Sequence, residues 1–231
     1  MVILGLQKTT LLDYPGKVAS TIFTGGCNFR CPYCHNKELV FVPKDAIPYT
    51  HEDIFQHLMS KKKVLDGVCI TGGEPTLHKD LPDFINEIKD LGLLVKLDSN
   101  GTNPDMLNYL IDNKLIDYIA MDIKHSKNKY NDIACMQSFD MAPIEASVSL
   151  LLQDKVDYEF RTTIMKECHS ASDMEEIGIW LKGAKAYYLQ SYKESAQVIN
   201  PIFSPHNIDT LHQFVDILKP YIPNTQLRGL E

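Results

Sequence analysis

Three of the chain's six cysteines fall within eight residues, spaced Cys27-x3-Cys31-x2-Cys34. The surrounding string is Gly25-Gly26-Cys27-Asn28-Phe29-Arg30-Cys31-Pro32-Tyr33-Cys34-His35-Asn36. Thiolates hold iron–sulfur clusters, and a cubane contains four irons. Three protein ligands therefore leave one iron open to a chelating small molecule, as open catalytic metal sites differ from closed structural ones. Three other chemistries use parts of the same string. Cys31-Pro32-Tyr33-Cys34 is a C-x-x-C dithiol of thioredoxin type, and Cys31 to His35 matches c-type haem attachment. Three thiols and His35 are also zinc-ligand types. The dithiol leaves Cys27 without a role. Haem attachment goes with export, and the N-terminal residues offer neither a basic n-region nor a long apolar h-region. His35 adjoins Cys34 and cannot easily complete one tetrahedron with it. A [4Fe–4S] cluster on Cys27, Cys31 and Cys34 uses all three cysteines.

Three further strings carry chemistry. Thr71-Gly72-Gly73-Glu74-Pro75 has two glycines that let backbone approach a ligand closely, and its carbonyls can accept from an ammonium; the alternative is a plain β–α turn. Asp98-Ser99-Asn100-Gly101-Thr102 contains an Asn-Gly turn signal. In Met121-Asp122-Ile123-Lys124, strand alternation puts Asp122 and Lys124 on one face. Opposite charges on an apolar strand are costly unless paired or bound to a ligand. Arg161, in Glu159-Phe160-Arg161-Thr162, either points inward toward a ligand or forms a salt bridge with Glu159 or a neighbouring strand. Cys69 reads as a buried small hydrophobe. Cys135 and Cys168 stand alone, and His169, His206 and His212 read as structural or solvated.

The elements that must carry these strings alternate between strand and helix. Strand-like runs are Val18–Phe23, Gly67–Thr71, Leu93–Leu97, Tyr118–Ile123, Tyr158–Ile164 and Ala186–Leu189, with a short last one at Gln226–Leu230. Residues 3–12 precede the turn signal Asp13-Tyr14-Pro15-Gly16 and can pair antiparallel with the first run. Helix signals are Asp80 as cap with Gly92 as stop, Asn103-Pro104, a capping box Ser172–Glu175, and Leu211 to Leu218. Such units imply parallel strands with right-handed crossovers. The reading is α/β: a partial, open (β/α)6-type barrel with a short N-terminal antiparallel extension, residues 1–231 forming one domain. Its functional residues belong at the carboxyl ends of the strands.

The chain has 231 residues, 44% hydrophobic and 23% charged, with a net charge of -7. That balance argues against nucleic acid as a partner, since Lys and Arg dominate phosphate binding. No apolar run approaches the roughly 20 residues of a spanning helix. The expectation is a cytoplasmic protein without a membrane partner and with reduced thiols.

The cysteine string, with aromatic Tyr33 before its last cysteine, resembles the signature of the radical S-adenosyl-L-methionine (SAM) superfamily. Its flanks resemble those of glycyl-radical-enzyme activases. The lead-in Leu11-Leu12-Asp13-Tyr14-Pro15-Gly16-Lys17 resembles anaerobic ribonucleoside-triphosphate reductase activating proteins. The later strings fall in order along the chain as in that family. The resemblance implies a [4Fe–4S] cluster and SAM as cofactors, with SAM split to methionine and a 5′-deoxyadenosyl radical. It implies SAM contacts from Tyr33, His35, Gly72, Gly73, Glu74, Ser99, Asn100, Asp122, Lys124 and Gln190, where some activases have histidine in place of Gln190. It also implies a monovalent cation at Asp98 and Asp122. The implied partners are a glycyl radical enzyme, foremost anaerobic ribonucleotide reductase, and a one-electron donor such as flavodoxin or ferredoxin. Two other readings remain: a radical SAM enzyme acting on a small metabolite, and a non-catalytic thiol-redox or Fe–S carrier protein.

Overall fold

The computed structural model describes residues 1–195 and 197–230. One sheet runs through them in chain order. Strands β1 (Ile3–Thr10) and β2 (Ala19–Thr24) form the antiparallel start. From β2 onward every pairing is parallel, through β3 (Gly67–Gly72), β4 (Leu94–Ser99), β5 (Tyr118–Asp122), β6 (Asp157–Ile164), β7 (Tyr187–Ser191) and β8 (Thr225–Arg228). β1 and β8 are the two ends of this order and do not pair with each other, so the sheet is open. The expected open α/β architecture and antiparallel extension are what the chain forms.

Helices α1 (Lys37–Val40) and α2 (His51–Lys61) follow β2. After β3 and β4 come α3 (Leu81–Asp90) and α4 (Pro104–Asp112). α5 (Tyr130–Ala134) and α6 (Ala142–Leu151) follow β5, α7 (Ala171–Trp180) follows β6, and α8 (Ile208–Leu218) follows β7. No helix among the described residues is long and apolar enough to cross a membrane. Asn103 caps α4 as expected, its side chain accepting from the Met106 amide. Two cap expectations are corrected. Asp80 precedes α3 but its side chain accepts no bond from the helix, and the capping box of α7 is Ser170 with Asp173, two residues before the expected pair. Several residues near a helix start carry cap chemistry, and only the backbone entry angle decides which one is used.

The two faces of the sheet differ in kind. Val68, Ile70, Val95, Leu97, Ile119, Met121, Phe160 and Leu189 join Leu81, Ile85, Leu107, Val148, Ile177 and Phe214 of the helices in one apolar core. The alternate residues Cys69, Lys96, Asp98, Asp122 and Arg161 point the other way, into a polar lumen. Of the lead-in string, Leu11, Leu12, Pro15 and Gly16 are exposed, while Asp13 and Tyr14 turn inward. Asp13 accepts from Thr21 Oγ1 at 2.5 Å, and buried Tyr14 faces the Tyr118 ring at 6.0 Å.

Candidate functional site

The cysteine loop follows β2 and is pinned on several sides. The Gly26 amide donates to Leu39 O at 2.7 Å and the Arg30 amide to Ala134 O at 2.9 Å. The Arg30 guanidinium donates to the carbonyls of Cys27 (2.5 Å) and Phe29 (2.7 Å) and lies 5.0 Å over the Phe41 ring. Cys34 N–H closes a turn onto Cys31 O at 3.0 Å. All three thiols are free. Burial pushes Cys27 up to about 11 and Cys31 up to about 12, with Lys124 pulling the other way in both cases.

The glycine string seats this loop. Gly73 N–H donates to Thr24 O and Glu74 N–H to Gly26 O, each at 2.8 Å. Gly72 has φ +117°, and a Cβ on Gly73 would overlap the Gly26 carbonyl oxygen. The close approach that the glycines allow is therefore first of all to the cysteine loop itself. Glu74 is buried and accepts from Thr76 N (3.1 Å), Thr76 Oγ1 (2.5 Å), Ser99 Oγ (2.9 Å) and Asn100 N (2.6 Å). Burial raises its pKa, and these donors oppose that rise. Asn100 donates to Asn28 Oδ1 at 2.8 Å and accepts from Thr102 Oγ1 at 2.7 Å, tying the β4 end to the cysteine loop.

The charged residues form a chain across the lumen. Lys124 Nζ donates to Asp122 Oδ2 at 3.0 Å and lies 5.8 Å over the Tyr33 ring. Arg161 Nε donates to Asp122 Oδ1 at 3.0 Å, and its NH1 to Asp98 Oδ2 at 3.2 Å. Lys96 Nζ pairs with Asp98 Oδ1. Burial disfavours the charges of Asp98, Asp122, Lys124 and Arg161, but their partners outweigh it. Asp122 is lowered to about 2 by Lys124 and Arg161, and Asp98 is lowered by Arg161 and Lys96. Lys124 is held charged, chiefly by Asp122.

One cavity of about 280 Å³ collects the strand-end motifs and the cysteines, with Lys96 outside its lining. Every residue expected at the site lines it: Cys27, Cys31 and Cys34 with Tyr33 and His35, then Gly72, Gly73 and Glu74, then Asp98, Ser99 and Asn100, then Asp122, Lys124 and Gln190. Residues from β3 through β7 share the cavity, so the sheet curls around it. Arg161 and Thr163 complete the wall. The donor set fits a thiolate-held cluster: three free cysteines on one cavity, a cation beside them, and a glycine wall that admits no side chain. A zinc ion would need its ligands gathered within about 2.0–2.3 Å of one point. Among the described residues no three His, Cys, Asp or Glu side chains are grouped that way. His35 instead directs Nε2 to the Lys193 carbonyl.

At Asp98 and Asp122, where the resemblance implies a monovalent cation, the Arg161 guanidinium bridges the two carboxylates. Of the partners expected for Arg161, the neighbouring strand supplies Asp122, while Glu159 pairs with Arg228 and accepts from Tyr118 Oη at 2.8 Å. Cys69 is buried, as expected, and its sulfur also meets Lys96 Nζ at 3.6 Å. Lys96 itself escaped notice. The i,i+2 alternation that links Asp122 to Lys124 also links Lys96 to Asp98 and could have revealed it.

The radical SAM superfamily model matches residues 21–145. A candidate glycyl-radical enzyme activating enzyme of Methanocaldococcus jannaschii is 32% identical over 98% of this chain and 95% of its own length. A 7-carboxy-7-deazaguanine synthase of Thermoplasma acidophilum is 27% identical over 64% of this chain and 66% of that protein. The structure of Streptococcus suis SuiB bound to S-adenosylmethionine superposes with a TM-score of 0.71 at 15% identity, over 89% of this chain and 49% of that one.

Proposed function

We propose that this chain, which belongs to the radical SAM superfamily, splits SAM at a [4Fe–4S] cluster in order to place a glycyl radical on a partner enzyme. The observation that carries the reading is the convergence of three free thiols and every strand-end motif on one cavity. Cys27, Cys31 and Cys34 would hold the cluster, which when bound and reduced supplies the electron that splits SAM into methionine and a 5′-deoxyadenosyl radical. The chain's other residues bind and orient. Lys124 and Arg161 present positive charge to the SAM carboxylate. The backbone at Gly72 and Gly73 offers carbonyls to its amino group. Ser99, Asn100, Asp122 and Gln190 provide polar contacts for the adenosyl part, with Tyr33 and His35 flanking the cysteine loop. No residue need act as acid or base.

The lead-in string Leu11 to Lys17 supports anaerobic ribonucleotide reductase as the partner, with flavodoxin or ferredoxin as electron donor. A similarity to 7-carboxy-7-deazaguanine synthase favours a second reading, catalysis on a small metabolite. It covers less of the chain than the similarity to the activating enzyme, which runs nearly end to end. The test is anaerobic incubation of cluster-loaded protein with SAM, a reductant and each candidate partner: ribonucleotide reductase, then pyruvate formate-lyase. A glycyl radical signal by EPR is expected with the first, and deuterium on that glycine's α-carbon should move into 5′-deoxyadenosine. Many turnovers on a metabolite with no label transfer would sink the activase reading.

A further inference from the structure

Lys96 is 2% exposed, in the middle of β4, one alternation below Asp98. It does not line the cavity; it lies beneath the floor that Asp98, Arg161, Asp122 and Lys124 make. A buried ammonium is expensive unless it is paired. Its neighbours are Asp98 Oδ1 and the Cys69 sulfur at 3.6 Å. The carboxylates of the floor are consequently fully engaged. Asp98 gives Oδ1 to Lys96 and Oδ2 to Arg161 at 3.2 Å. Asp122 gives Oδ1 to Arg161 and Oδ2 to Lys124, each at 3.0 Å. Three cationic side chains thus face two carboxylates, and each of the four oxygens already meets a nitrogen that carries or shares positive charge. An alkali ion brought to Asp98 and Asp122 would meet like charge in a lumen where charges interact strongly, and it would find no carboxylate oxygen without a cationic partner.

We infer that Lys96 is the chain's own substitute for a monovalent cation beneath the SAM-binding floor, so that SAM binding here does not depend on the alkali ion in solution. Lys96 is a positioning residue. It fixes Asp98, Asp98 and Asp122 fix Arg161, and the guanidinium is held facing the cavity. Removing the Lys96 charge frees Asp98 Oδ1, and the vacancy is then one that potassium or sodium can fill.

This inference rests on the proposed SAM site, and two readouts separate the failure of one from the failure of the other. The first is SAM affinity of anaerobically reconstituted protein in potassium, sodium or choline chloride at equal ionic strength. Wild type is expected to hold its affinity within about twofold across the three salts. Lys96→Met is expected to lose about tenfold in choline, equivalent to roughly 1.4 kcal/mol, and to recover in potassium or sodium. The second readout needs neither cluster nor SAM: the melting temperature of the cluster-free chain. Potassium in place of choline should raise it by about 2 °C or more in Lys96→Met and leave wild type unmoved. Should Lys96→Met fail to fold, Lys96→Met/Asp98→Asn removes both charges together, and its melting should be indifferent to the alkali ion. A tenfold alkali dependence in wild type, an alkali-dependent double variant, or a folded Lys96→Met that no alkali ion rescues would overturn the inference. If no form binds SAM in any salt, the functional reading fails, and the melting data still decide the role of Lys96.

Discussion

His169 and His125 stack in the interior with ring centroids 4.7 Å apart and planes 16° apart. His169 Nδ1 accepts from the Met165 amide at 3.2 Å, which leaves Nε2–H to donate to the Lys124 carbonyl at 3.2 Å. The ring therefore holds the backbone of a cavity lysine. Burial first, and the neighbouring His125 second, push its pKa down to about 3, against the opposing pull of the Lys124 carbonyl and then Asp173. The unfolded chain, with His near 6.5, then binds more protons than the folded chain between about pH 6.5 and 3, so stability falls as pH falls through that window. This one group contributes a slope of up to about 1.4 kcal/mol per pH unit. His169→Gln lacks that slope. Urea unfolding at pH 7 and pH 5.5 should show the stability gap between wild type and variant narrowing by about 1 kcal/mol; a gap that stays constant would count against a neutral buried His169. Residue polarity was legible in the sequence, but partners were not. Ser99, Asn100 and Glu74 read as ligand contacts, yet all three also bond to one another or to the cysteine loop. Strand alternation gives the face of a side chain, while its partner depends on which loops the fold brings alongside.

The turn after β3 shows how an element, rather than a side chain, builds the site. Gly72 turns the chain at a φ open mainly to glycine, and Gly73 lies against the Gly26 carbonyl. Two backbone bonds of 2.8 Å, from Gly73 and Glu74, then lock this turn to β2 and the cysteine loop. Gly73→Ala should force the two backbones apart and misplace Cys27, the first residue after Gly26. The expected result is folded protein, with far-UV circular dichroism near wild type, that binds far fewer than the about four irons of one cubane. Normal iron content in Gly73→Ala would show that the turn does not position the cysteines. The order of strands was readable from apolar runs bounded by turn residues, and the observed strands depart from those runs by one or two residues at their ends. Two α-helices after β5, α5 and α6, gave no such signal. α6 starts without a side-chain cap, and α5 is only five residues long.

Across the whole molecule, apolar burial and chemistry occupy opposite faces of one sheet. The core that joins strands to helices runs from Ile3 to Ile222, whereas the lumen holds charged side chains and the cysteine thiols. Folding free energy comes mainly from the first face, since burial is worth roughly 25 cal/mol per Å² of apolar area. The lumen's charges are held by partners within the chain, Glu159 by a bidentate Arg228 at 2.6 and 2.9 Å among them, rather than by a ligand. This partition was legible in outline, because strands with an alternating charge on an apolar background have one face for each purpose. Its depth was not, because ion pairs such as Arg161 with Asp98 link strands that are distant in sequence. The partition predicts what a chelator does. Stripping iron from the reconstituted protein should leave far-UV circular dichroism and cooperative unfolding essentially intact. Hydrogen exchange should quicken locally, at the cysteine loop (25–36) and the strand-end segments that contact it (72–74 and 98–102), while the core strands stay protected. Loss of the far-UV signal together with iron, as in small metal-folded domains, would mean that the cysteine loop holds the fold together rather than being held by it.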